Sequence, residues 1–141
     1  MKIKPIEIYN DKFLDSISWF MRIAGISLFP FIILREYRKG TERGKILVNH
    51  ETIHFWQTIE LGVVGFYVLY LWYYLFNLIK YKSTMKAYKQ IPFEIEARSN
   101  EKNLNYIKTR KFYSWTKHIK VPIYGLVVAA IVVIVICINS I

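Results

Sequence analysis

The sequence predicts a mainly α-helical membrane protein. It is expected to have a helical core with a short β-edge ahead of one motif-bearing helix, and a transmembrane helix at the C-terminus. Three observations predict this. Of its 141 residues 54% are hydrophobic and 17% aromatic, yet the net charge is +10, a combination suited to a chain whose apolar part meets lipid and whose Lys and Arg meet anionic headgroups. Two long runs, 61–79 and 121–138, carry no charged residue. Between the first run and a charged turn lies His50-Glu51-Thr52-Ile53-His54, a helical metal-site pattern. The length accommodates one domain, 1–120, followed by an anchor, 121–141.

Residues 1–12 read as a polar lead-in with turn signals at Pro5 and Asn10-Asp11, and they hold no cleavable apolar segment. Residues 13–34 are apolar, interrupted by Arg22, Gly25 and Pro30. Of two readings, one short transmembrane helix or a membrane-surface helix over about 14–24 followed by an extended segment 26–34, the second is preferred. Pro30 confines that segment to a sheet edge, where an extended peptide could pair with it. Arg35 to Lys45 is a charged turn with Gly40 and Gly44 as hinges. Asn49 is placed as the N-cap of the motif helix, which runs without a breaker to Gly62.

As a helix, residues 61–79 reach about 28 Å, just enough to span a bilayer. Their Tyr and Trp content suits the interface, and both flanks are basic. A straight crossing would also leave His54 and Glu94 on opposite sides. The run is therefore expected to bend at Gly62 and Gly65 and return Glu94 to the motif. Residues 80–120 hold eleven Lys and Arg against Glu94, Glu96 and Glu101, and Pro92 starts a helix over 93–101. Val121 to Ile138 is the strongest transmembrane segment. The basic stretch before it places the site on the cytoplasmic side of the cell membrane.

Two histidines four apart on a helix project from one face, one turn apart, and can share a zinc ion. Glu51 lies about 100° round the helix from His50, beside the metal, where it can take a proton from a water molecule. Catalytic zinc takes three protein ligands. The third is expected to be a carboxylate from the helix after Pro92: Glu94, with Glu96 as the alternative, about 200° away on that helix. Gln57 and Glu60 read as helix-surface residues, and Glu96 and Glu101 as solvated partners of Arg98 or Lys102. Tyr37, Tyr88, Tyr106 and Arg98 are candidate donors to a developing oxyanion. Cys137, the single cysteine, rules out an internal disulfide and a cysteine zinc site.

His50-Glu51-x-x-His54 followed by Glu94-x-x-Ala97 resembles the gluzincin pattern of zinc metallopeptidases. It is similar to the membrane branch that includes the prenyl-protein (CAAX) protease and the heat-shock membrane protease. It is closer still to small bacterial membrane proteins with HExxHxxQ, an aromatic-rich apolar stretch and a PFExEA-like segment, matched here by Gln57 and Pro92-Phe93-Glu94-Ile95-Glu96-Ala97. The likeness covers about residues 26–103. Where the larger proteases usually carry an Asp after the Ala, this chain has Arg98. The resemblance implies a zincin-like core, Zn2+ on His50, His54 and Glu94, Glu51 as general base, and hydrolysis of membrane-associated proteins or peptides. Two other classes stand beside it: a zinc-binding but non-catalytic structural or regulatory membrane protein, and a hydrolase acting on lipid or another non-peptide substrate. Nucleic acid is not an expected partner, because the basic charge adjoins apolar runs instead of lining one amphipathic face.

Overall fold

The computed structural model describes residues 3–18 and 22–120, so the anchor expected over 121–138 lies outside the described residues. The described chain is mainly helical, with one small sheet. Strand β1 (Ile6–Tyr9) falls in the segment expected to be a polar lead-in. Helix α1 (Asp11–Ile17) follows, capped by the Asn10 side chain on the Phe13 N–H at 3.0 Å. It is shorter than the surface helix expected over 14–24, and the alternative of one transmembrane helix over 13–34 is overturned. In its place strands β2 (Gly25–Leu28) and β3 (Phe31–Leu34) form a hairpin turned at Phe29-Pro30. Pro30 thus sits in a turn, where its missing N–H costs no ladder bond, and not in an edge strand. The strand order is β1-β3-β2, with β1 parallel and β2 antiparallel to the central β3. The predicted β-edge is therefore β2 alone.

Helix α2 (Glu42–Leu61) carries the motif. It begins seven residues before the expected Asn49 cap, because Thr41 supplies the cap by accepting from the Gly44 N–H at 2.9 Å. Gly44 is no hinge. It lies in the first helical turn, where a Cβ would stand 1.9 Å from the Arg38 carbonyl oxygen, so the preceding turn packs on it only because it is glycine. Asn49 is instead buried inside the helix.

Gly62, at φ 72°, ends α2 and lets the chain reverse into α3 (Val63–Tyr81). The reversal expected at Gly62 is present; Gly65 lies within α3 and does not interrupt it. His54 of α2 then lies beside Phe66 and Tyr70 of α3, with ring centroids 6.2 and 6.4 Å apart. Helix α3 is apolar on two opposed faces. Phe66, Tyr73 and Asn77 point into the protein, while Val64, Val68, Leu71, Leu75 and Ile79 form an exposed stripe. Helix α4 (Thr84–Lys89) folds back on α3, with the Asn77 amide donating to the Ala87 carbonyl at 3.1 Å.

Helix α5 (Pro92–Asn100) starts at proline, as expected, and packs on α2. Phe93 anchors it, fully buried among Phe66, Tyr73, Ile91 and Trp115. Burying a ring of this size contributes about 2–3 kcal/mol. The described residues close with α6 (Tyr106–Thr109) and a 3-10 turn, Ser114–His118, whose Trp115 ring lies tilted against Phe93 with centroids 4.7 Å apart. A second set of buried residues, among them Leu14, Ile32, Leu34, Ile53 and Phe55, fills the space around the sheet and α2.

Candidate metal centre

His50 and His54 lie one turn apart on α2, and the fold-back at Gly62 brings α5 against that face. Glu94, in the first turn of α5, meets both rings. The two Nε2 atoms are 3.1 Å apart. Glu94 Oε1 is 3.2 Å from His54 Nε2, and Oε2 is 3.6 Å from His50 Nε2. His50, His54 and Glu94 form one buried group that could hold a metal ion, with one ligand atom from each within 4.8 Å of the others. His118, in the 3-10 turn, is not part of it.

Hydrogen bonds fix where the ring protons sit. His50 Nδ1 is 2.8 Å from Glu101 Oε2, a carboxylate that only accepts, so Nδ1 is the donor. His54 Nδ1 is 2.7 Å from Gln57 Oε1. The Gln57 amide nitrogen donates to the Phe93 carbonyl at 3.2 Å and to Glu96 Oε2 at 2.8 Å, so its oxygen must face His54, which again donates from Nδ1. Both Nε2 lone pairs therefore point into the same small space as the Glu94 carboxylate. Glu94 Oε2 is buried and accepts no hydrogen bond among the described residues. In the neutral rings these are three converging acceptors, which repel one another unless a proton or a metal cation lies between them, and this donor set suits a divalent metal.

The titration behaviour agrees with that field. Burial lowers the His50 pKa, but the bonds to Glu101 and Glu94 and the charges of Glu51 and Glu94 outweigh it, raising it to about 10. Burial raises the Glu94 pKa, but His54 and His50 outweigh it and hold the carboxyl well below the usual range. Glu51, between the histidines, is raised by burial, only partly offset by His50 and His54. Its carboxylate takes a hydrogen bond from the Ser27 backbone N–H of β2.

A cleft of about 350 Å³ opens onto this group between β2 and α3. Glu51, His54 and Glu94 lie at its base, Gly25, Ile26 and Ser27 along one wall, and Phe66, Tyr67, Tyr70, Tyr74 and Tyr88 along the other. Gly25 makes room for Glu51, since a Cβ there would stand 3.3 Å from Glu51 Oε1. The Tyr70 hydroxyl donates to Glu94 Oε1 at 2.8 Å. Of the four candidate oxyanion donors only Tyr88 lines the cleft. Tyr37 is exposed beside Arg38, Tyr106 donates to Glu96, and Arg98 pairs with Glu94 at 3.4 Å.

Several readings from the sequence are overturned here. Glu96 is no ligand and no solvated partner of Arg98: it is fully buried and bound to Arg110, Tyr106 and Gln57. Glu101 is not simply a surface charge, because it orients His50. Gln57 and Glu60 are not surface residues either. Gln57 is fully buried against His54, and Glu60 is buried in an ion pair with Arg110. Asn49 donates to the carbonyls of Asn100, Glu101 and Asn103 at 3.3, 2.8 and 3.1 Å, tying the end of α5 beside His50. The spacing held part of this. Gln57 lies three residues after His54 and Glu101 seven after Glu94, each on the same helical face as its partner. Nothing local pointed to Arg110. The chain matches no protein-family model, no curated protein and no solved structure.

Proposed function

We propose that this chain is a membrane-associated zinc metallopeptidase that hydrolyses peptide bonds of membrane-associated proteins or peptides. One observation carries the reading: two imidazole Nε2 atoms and a carboxylate converge in one buried group, next to a buried glutamate at the base of a cleft. His50, His54 and Glu94 would hold the zinc: the two Nε2 atoms are 3.1 Å apart and Glu94 Oε1 is 3.2 Å from His54 Nε2. When bound, zinc would polarise the scissile carbonyl and lower the pKa of a water toward about 7.

The chain's own residues then do the rest. His50 and His54 are held with Nε2 toward the site by Glu101 and Gln57. Glu51, steadied by the Ser27 N–H and with its pKa raised by burial, takes the water's proton and passes it to the leaving amine. Tyr88, the one of the four candidate donors that lines the cleft, would meet the developing oxyanion. The peptide would lie along β2. Ser27 turns its N–H to Glu51 and its carbonyl to the Tyr67 hydroxyl, away from β3. By strand parity Gly25 turns its own N–H and carbonyl the same way, leaving an edge to which an extended segment can add.

The exposed apolar stripe of α3 supports seating at the bilayer, because a helix apolar on both faces is buried in a core or in lipid. Helix α3 is long and apolar enough to cross a membrane by length and composition. The basic residues after it favour the cytoplasmic face of the cell membrane. Metal analysis of the wild type and His50→Ala, with peptide turnover by the wild type and Glu51→Gln, tests the proposal. Glu51→Gln is expected to keep one zinc per chain and lose cleavage. Zinc retained with no peptide cleaved by the wild type would leave a non-catalytic metal protein, and no zinc in the wild type would end the metal reading.

A further inference from the structure

We propose that Arg110, which touches none of the three metal ligands, positions His54 through a buried chain of hydrogen bonds: Arg110 to Glu96, Glu96 to Gln57, and Gln57 to His54. This rests on the metal-site reading above and extends it to a residue 56 positions along the chain from the ligand. The Arg110 side chain is 4% exposed, and both its carboxylate partners, Glu60 and Glu96, are 0% exposed. Its Nε donates to Glu96 Oε1 at 2.7 Å and its Nη2 to Glu96 Oε2 at 3.1 Å. The Nη atoms also grip Glu60, Nη2 at 3.2 Å from Oε2. Only a planar guanidinium can hold two carboxylates in this way.

Glu96 thus has both oxygens fixed, with the Tyr106 hydroxyl adding a bond at 2.8 Å. Its Oε2 then captures one N–H of Gln57, and the Phe93 carbonyl captures the other. With both amide hydrogens committed, the Gln57 oxygen has one orientation left, toward His54 Nδ1. That forces the proton onto Nδ1 and the lone pair onto Nε2, the atom that meets Glu94. An unheld Gln57 could turn its amide nitrogen to His54 and favour the opposite tautomer, whose Nε2–H cannot bind a metal. Glu60 sits three residues after Gln57 on α2, so the same guanidinium also pins that helix turn.

The test is a double-mutant cycle on the full chain, reading zinc affinity by competition with a chromophoric chelator, thermal stability, and the tautomer of 15N-labelled His54. Gln57→Met is expected to weaken zinc binding about 10–100-fold, the usual loss when a partner of a ligand histidine is removed. Arg110→Lys keeps the charge and loses the fork. It is expected to weaken zinc binding about 10-fold in the wild-type background and to lower the Nδ1–H fraction of His54. In the Gln57→Met background the same change should cost no further affinity, although it still lowers stability. Unchanged affinity in Arg110→Lys, or an equal loss in both backgrounds, would overturn the proposal, since Arg110 would then act only on the fold. If Arg110→Lys does not fold, Tyr106→Phe, which frees one bond to Glu96, takes its place in the cycle with the same criteria. A wild type that binds no zinc would instead reject the metal reading itself.

Discussion

Gly25→Ala separates the base from the metal. The new methyl would stand 3.3 Å from Glu51 Oε1, 3.3 Å from Leu47 Cδ2 and 3.0 Å from Leu34 Cδ2. Leu34 is 1% exposed and packed, so little of the strain can be relieved on that side. Overpacking of this kind costs about 1–3 kcal/mol, which for a chain of this size lowers the melting temperature by about 3–10 °C. The Glu51 carboxylate must retreat by a few tenths of an ångström. Misplacement by 1 Å costs about 100-fold, so a fall of about 5–10-fold in kcat is expected. Gly25 touches none of the three ligands, so zinc content should stay at the wild-type level. Turnover of a cleaved peptide, metal content and melting temperature, measured on one preparation, decide it. Wild-type kcat in a folded variant would refute the view that this contact sets the base, and loss of zinc along with turnover would show that Gly25 acts on the ligands instead.

Two further predictions concern pH and the membrane. The folded-state pKa of His50 is raised from 6.5 to about 10, so metal-free protein gains stability that is fully present below about pH 6.5 and lost as the pH rises through about 10. At 1.36 kcal/mol per unit this is on the order of 5 kcal/mol, and zinc, which replaces the proton, should flatten the profile. Melting curves from pH 6 to 10 with chelator and with zinc check this, and a flat chelator curve refutes it. The proposed seating of the α3 stripe in lipid predicts that an environment-sensitive dye on Leu71→Cys, with Cys137→Ser to remove the native thiol, should shift to the blue in liposomes. The same dye on Lys82→Cys, beyond the end of α3, should stay water-like, and equal spectra at the two positions would place the stripe outside the bilayer.

Local rules worked where the determining forces were local. Pro92 at the start of α5 and the reversal at Gly62 follow from single-residue backbone limits, and both are present. The same rules misplaced Asn49, a good N-cap type, because they could not see the three carbonyls at the end of α5 that it satisfies. They missed β1, whose pairing with β3 lies about 25 residues away. Glu96 and Gln57 looked like surface residues because charge and polarity usually mean exposure. Arg110, far along the chain, makes the burial of Glu96 and Glu60 tolerable by occupying both carboxylates at once.

The sequence by itself put His50 and His54 on one helix face with Glu51 beside them and narrowed the joining acid to Glu94 or Glu96, since helical periodicity turns spacing into a shared face. Only the tertiary structure decided that Glu94, not Glu96, faces the histidines, and which groups hold each ring. Those choices depend on how α2, α5 and the segment around Arg110 pack. The hydrogen-bond partners involved lie 39 to 51 residues apart, beyond what any local pattern encodes.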